Sequence, residues 1–420
     1  MKYDFKKHLS HYFPERLLAW AQLSHQTVRL TVAMTGVCFA NILMFSQLGL
    51  RTVLFDGITQ IHEKLTGDLF LISAYSPTLG ERTFPKIFLY QAQAVDGVGT
   101  VFPLYIGASD WINPEDLKTA SPTASLTESK PATRQAAETP EPEISPEEVK
   151  VLAFNPTQPV LNMPEIEPYL GRLSTANSLL FDRLSQPDLG PISQLLSQST
   201  EVVTIMDNQR VRILDTFALG SNLFIQGHVI MSDLNYARIK GNGVLDQVSV
   251  GVITLEPGAD PLAIQANLQA KLPAKIKVLT RQELIQKEKD YWSADPSGIV
   301  LTFGAVMGFI VGVIVVYQIL YSDVTDHLPE YATLKAIGYS DRSLLIIVLQ
   351  EAVILAVLGF MPGYAASVGV YHLLSQLTRI PLVMRPDVVV QVFVLTVFMC
   401  KLAGVIAMQK LRTADPADVF

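Results

Sequence analysis

Two charged side chains stand inside otherwise uncharged apolar runs, and they are the first chemistry the chain offers. Glu351 interrupts the run from Ser343 to about Ser375, and Lys401 interrupts the run from Val388 to Met408. At 1.5 Å per helical residue, Glu351 lies about 12 Å from Ser343, and Lys401 about 13.5 Å from Lys410. Opposite charge at similar depth predicts an ion pair between two membrane helices, because an unpaired charge in hydrocarbon is costly. The alternative is a Lys401 that snorkels towards the headgroups.

Other groups that could do chemistry lack the necessary spacing. No glycine is followed by lysine, which excludes a Walker A phosphate loop, and no G-x-S-x-G nucleophile elbow occurs. His62-Glu63 lacks the second histidine of a zinc protease, that position being Thr66. His8, His11 and His25 read as surface residues, and no histidine set has metal-ligand spacing. No catalytic, cofactor-binding or metal-ligating residue is assigned, and the chain is not expected to be an enzyme or to hydrolyse ATP alone. A net charge of −7 and a pI near 5.6 supply no broad basic surface for nucleic acid. Cys38 and Cys400 fall inside apolar runs and read as packing residues.

The elements that must position these residues follow from hydropathy. Mean hydropathy is +0.30 and only 17% of the 420 residues are charged, against about 25% in soluble domains. The four spans are expected at 30–50, 298–322, 343–375 and 388–410. Each is close to or beyond the roughly 20 residues needed to cross the hydrocarbon core. The first is read as a retained anchor rather than a signal peptide. Lys2, Lys6, Lys7, Arg16 and Arg29, with Lys335, Arg342, Lys410 and Arg412, place both termini (1–29 and 411–420) and the 323–342 segment in the cytoplasm. Residues 51–297 and the short 376–387 loop then lie outside, in an inner (plasma) membrane protein. The expected fold class is an α-helical membrane protein with four transmembrane helices and a large α+β extracytoplasmic domain inserted between helices 1 and 2.

Within that domain, DLFLISAY (68–75) and STEVVTIMD (199–207) read as strands, and Asp207-Asn208 as the turn of a hairpin into VRILDTFAL. Residues 249–280 read strand, helix, strand, with Asp260 as N-cap and Pro261 in the first turn. RQELIQKEKDYW is expected to be helical. Residues 113–149, rich in Pro, Ser, Thr, Ala and Glu, are expected to form a flexible insertion. Pro14 to Arg29 reads either as an interfacial helix or as an extension of the first span. Gly304, Gly308 and Gly312 make a small-residue face for close helix packing, within the four-helix unit in preference to a dimer contact. Gly359, Pro362 and Gly363 predict a kink or an extension of the third span. Asn41 and Gln47 are expected to face other helices.

The segment DVTDHLPEYATLKAIGYSDRS (323–343) joins two apolar runs and carries its own apolar stripe: Leu328, Tyr331, Leu334 and Ile337. Asp326 is expected to cap a short helix that tolerates Pro329 in its first turn and stops at Gly338, with Ser340 or Asp341 capping the next span. Such a stripe needs a partner. This block resembles the cytoplasmic element of FtsX-like permeases, and within them the DevC family of ABC exporter permeases. GLRTVLFDG, LLFDRLSQPDLGPI, VVYQILYSDVTDHLPEYATLKAIGYSDR and the ending MQKLRTADPADVF carry the same resemblance.

By that resemblance, Leu328, Pro329, Glu330, Tyr331, Leu334 and Lys335 would form a coupling helix seated in a groove of a separate ABC ATPase subunit, which binds the ATP. The family implies a homodimer, a MacB-like periplasmic domain, a periplasmic membrane-fusion adaptor and an outer-membrane duct. ATP-driven motion of the spans would drive export of a lipid or other envelope substrate held outside. Glu351 has a family counterpart; Lys401 and the 113–149 insertion depart from the family pattern. The alternative reading is a non-transporting, FtsX-type mechanotransmitter that regulates a cell-wall hydrolase.

Overall fold

The computed structural model describes residues 27–119, 146–158, 160–199, 201–329, 333, 340–378 and 382–412. It divides into two units: Leu54–Ala294, which is α+β, and Met1–Val53 with Asp295–Phe420, which is helical where described.

The helical unit carries the spans. Four helices are long and apolar enough to cross a membrane: Leu30–Lys64, Pro296–Asp326, Arg342–Gln376 and Pro386–Gln409. They belong to helices α1 (Thr27–Lys64), α9 (Pro296–Asp326), α10 (Asp341–Thr378) and α11 (Pro386–Arg412). All four helices overrun the ends that hydropathy gave them, α1 and α9 by the most. α1 continues past Leu50 through Arg51, Asp56 and Glu63, and α9 continues past Ser322 through Asp323 and Asp326. Charge ends an apolar run but does not break a helix, and neither stretch contains a proline, so the backbone continues. α9 starts on Asp295, whose carboxylate accepts the Ser297 N–H at 2.9 Å, with Pro296 in the first turn. α10 starts on Ser340, whose hydroxyl accepts the Ser343 N–H at 3.3 Å, as expected from the sequence. The interfacial segment 14–26 lies outside the described residues.

The α+β unit is built on a nine-stranded sheet in the order β11-β1-β10-β3-β4-β8-β5-β7-β6. The strands are β1 (Leu69–Ser73), β3 (Val98–Ile112), β4 (Glu147–Phe154), β5 (Ser178–Asp182), β6 (Val202–Met206), β7 (Gln209–Phe217), β8 (His228–Ser232), β10 (Val250–Leu255) and β11 (Ile276–Thr280). β2 (Phe84–Pro85) and β9 (Gln247–Val248) form a separate antiparallel pair. The long β3 serves two ladders: its first half pairs with β10, its second half with β4, and Trp111-Ile112 also reach β6. Both faces of the sheet are covered. On β1, Leu69 and Leu71 enter one apolar cluster while Phe70 and Ile72 enter the other. A strand buried on both sides reads as an unbroken apolar run, which is how LFLIS appears.

The hairpin expected at Asp207-Asn208 is formed by β6 and β7. Both turn residues have positive φ, 46° and 61°, as a tight turn between twisted strands requires. The strand–helix–strand order at 249–280 is β10, then helix α7 (Pro261–Lys271) capped by Asp260, then β11. Helix α8 (Arg281–Ala294) follows directly. The shorter helices are α2 (Ile87–Gln93), α3 (Pro114–Thr119), α4 (Leu170–Leu173), α5 (Ile192–Gln198) and α6 (Asp233–Lys240). Residues 113–149 are structured at both ends, by α3 and by the start of β4. That narrows the proposed insertion to residues 120–145, which lie outside the described residues.

Candidate functional site

The connection between α9 and α10 holds the residues that the sequence points to. Asp323, 7% exposed, lies in the last turn of α9. His327 closes that helix: its N–H donates to the Asp323 carbonyl at 3.1 Å, and its Nδ1 stands 3.7 Å from Asp323 Oδ1. Asp326 therefore ends α9 instead of opening a separate helix. Helical geometry resumes at Leu328, half-buried, and Pro329, exposed. Thr333 is helical too, and its hydroxyl donates to the Pro329 carbonyl four residues back, at 2.8 Å. Glu330, Tyr331, Leu334 and Lys335 lie outside the described residues.

Inside the spans, the glycine face of α9 packs against helices of the same unit. A Cβ on Gly304 would stand 2.5 Å from Gln47 Cδ, and one on Gly308 3.2 Å from Leu43 Cβ, both on α1. One on Gly312 would collide with Met399 of α11 and approach Ala40 of α1 to 2.8 Å. Real Cβ atoms do not come so close, so a larger residue at Gly312 would force the helices apart. α10 is received in the same way. Gly359 lies against Val37, and Gly363 against Asn41 and Cys38. α10 passes Pro362 without interruption, so these glycines serve close approach to α1. Asn41, fully buried, accepts from the Thr396 hydroxyl on α11 at 2.5 Å. The expectation that Asn41 and Gln47 face other helices is met.

The expected ion pair is not formed. Glu351 is 2% exposed, whereas Lys401 is exposed and lines an apolar groove with Ile346, Leu349, Gln350, Val353 and Ile354. No ion pair among the described residues joins the two. Similar depth on adjacent helices was legible in the sequence, but the direction each side chain takes around its helix was not.

In the α+β unit the sequence reading overlooked Asp182, within the LLFDRLSQPDLGPI motif. It ends β5 and is fully buried. One carboxylate oxygen accepts the N–H groups of Leu184 and Leu219 at 3.0 and 3.1 Å; the other accepts that of Gly220 at 2.7 Å, with His228 Nδ1 at 3.4 Å. The site is structural: a buried carboxylate ties two chain segments by their backbones. Arg281 is a second such residue. Its guanidinium donates to the carbonyls of His62, Leu65 and Gly67 at 2.7–3.0 Å and so caps the end of α1. Among the described residues, no group of three or more His, Cys, Asp or Glu could hold a metal ion.

Four apolar span helices with an α+β unit between the first and second define a polytopic membrane protein with a large extramembrane domain. Within it, residues 302–416 match the family of FtsX-like permease C-terminal domains. The matched segment runs from near the start of α9 to the end of α11 and includes the α9–α10 connection. Two uncharacterized ABC transporter permeases, from two strains of Mycobacterium tuberculosis, are each 21% identical over 93% of this chain and 94% of theirs. Among solved structures, the periplasmic region of MacB from Actinobacillus actinomycetemcomitans covers 54% of this chain and 94% of its own, at 6% identity and a TM-score of 0.31. The extracellular domain of the noncanonic ABC-type transporter YknZ from Gram-positive bacteria covers 50% and 99%, at 10% identity and a TM-score of 0.27.

Proposed function

We propose that the chain is the permease subunit of a DevC/MacB-type ABC export system. It works as a homodimer in the inner membrane, with both termini cytoplasmic, and a separate ATPase subunit binds and hydrolyses the ATP. In this reading the α9–α10 connection seats in the ATPase and passes its motion through the packed spans to an extracytoplasmic α+β unit. Moving that unit drives export of a lipid or other envelope substrate, with an adaptor and an outer-membrane duct as further partners.

The observation that carries the proposal is the FtsX-like match over 302–416, which takes in the connecting segment and the three helices around it. The packing of α9 supports it: close contacts at Gly308 and Gly312 let a displacement at its Asp326 end reach α1 and α11. Pull-down of the ATPase with Leu328→Asp, Tyr331→Asp and Leu334→Asp chains tests the docking. The expected result is loss of most of the recovered ATPase, because a carboxylate cannot enter an apolar groove without a large desolvation cost. Undiminished recovery with all three variants refutes it.

A further inference from the structure

A cavity of about 410 Å³ lies wholly within the α+β unit, and its walls carry more polar chemistry than folding requires. On one wall, His62 of α1 is 1% exposed, and its Nε2 faces Glu288 Oε2 of α8 at 3.5 Å. Glu288, 6% exposed, also accepts from Trp292 Nε1 at 3.1 Å and from the Leu79 N–H at 3.0 Å. Among the described residues, neither ring nitrogen of His62 makes a hydrogen bond. β4 also lines the cavity, with Glu148 and Lys150 projecting from the same face, two residues apart. Among the described residues, neither side chain has a hydrogen-bond or ion-pair partner. Burial pushes the Lys150 ammonium below its usual value, although Glu148 and Glu288 pull the other way. Gln226 donates to Glu147 at 2.8 Å and leaves its Oε1 buried and without a donor. Phe224 stacks on Trp292, ring centroids 4.2 Å apart, and gives the cavity an aromatic side.

Buried polar atoms are nearly always hydrogen-bonded, so the orphaned atoms of His62 and Gln226 beside one cavity point to a ligand, and the other side chains of its lining specify which. Lys150, half-buried, offers a cationic donor and asks for an anion; Glu148, exposed, and Gln226 Oε1 are acceptors and ask for a group rich in N–H. The aromatic stack asks for an apolar body. We infer that the cavity binds a small zwitterion with an apolar side chain, of amino-acid to dipeptide size. Its carboxylate sits on Lys150, its ammonium faces Glu148 and Gln226, and its side chain lies on the Phe224–Trp292 stack. The volume falls within the range of small-molecule sites. The inference does not depend on the transport reading, since every group invoked lies in the α+β unit.

The experiment is calorimetric titration of the full chain, in detergent or lipid nanodiscs, with leucine, phenylalanine and the dipeptides they form. Phenylpropionate and phenethylamine serve as probes lacking the ammonium and the carboxylate. Saturable binding is expected for the zwitterions, at least tenfold weaker for either truncated probe. Lys150→Met weakens it at least tenfold; Lys150→Arg retains it. Should Lys150→Met fail to fold, Glu148→Gln, at an exposed position, decides the matter by weakening the ammonium contact. The inference is overturned if no heat saturates up to concentrations on the order of 10 mM. Unchanged binding in Lys150→Met, or in Glu148→Gln where that variant decides, overturns it too, as does phenethylamine binding as tightly as phenylalanine.

Discussion

Asp182 shows that a motif carrying a family likeness can also hold the fold together. In the sequence, LLFDRLSQPDLGPI is a likeness to a family; in the fold, its aspartate holds the backbones of Leu184, Leu219 and Gly220. Asp182→Ala leaves three N–H groups, two of them buried, without their acceptor and should cost about 3 kcal/mol, read from denaturant unfolding. Asp182→Asn should fall between, because an amide can accept at one end but presents N–H to N–H at Gly220. Equal stability of the two variants would show that the carboxylate's charge, and not its acceptor geometry, matters. Lys401 calls for the opposite result. With no ion pair joining it to Glu351, Lys401→Met should leave the detergent melting temperature unchanged or raised. A marked fall would restore the pairing that the sequence suggested.

Among the elements, strand identity was legible and strand partnership was not. LFLIS and VVTIM announce themselves as strands by composition, and Asp207-Asn208 as a turn. Nothing local says that Leu69 should pair with Ile253, almost the length of the unit away. The helices outlast the apolar runs for a physical reason: hydropathy records where a helix leaves lipid, while hydrogen bonding and capping decide where it stops. α1 stops at Lys64, where Arg281 caps its carbonyls. The glycine seam was legible as spacing, and its partners only from packing. Gly312→Val should separate α9 from α11 and cost about 1–3 kcal/mol, read as a lower melting temperature in detergent. Gly369→Ala is the control: no atom lies within 4 Å of the added methyl, and stability should hold.

For the molecule as a whole, composition alone divided the chain into spans and an α+β unit, because water and lipid impose different demands on side chains. The cavity chemistry stayed invisible, since His62, Lys150, Gln226 and Glu288 are scattered through the sequence and meet only in the folded sheet. One feature of that sheet has a practical side. Trp111 near the end of β3 lies opposite Glu147 at the start of β4, so everything between them is a detour that leaves and rejoins adjacent strands. Closing such a detour depends only weakly on its length, at about 0.6 kcal/mol per doubling. Exchanging residues 120–145 for a short glycine-serine bridge should therefore leave the thermal unfolding of the protein almost unchanged. The same place should accept a fluorescent protein, giving a reporter whose two joints are held side by side by the strand ladder.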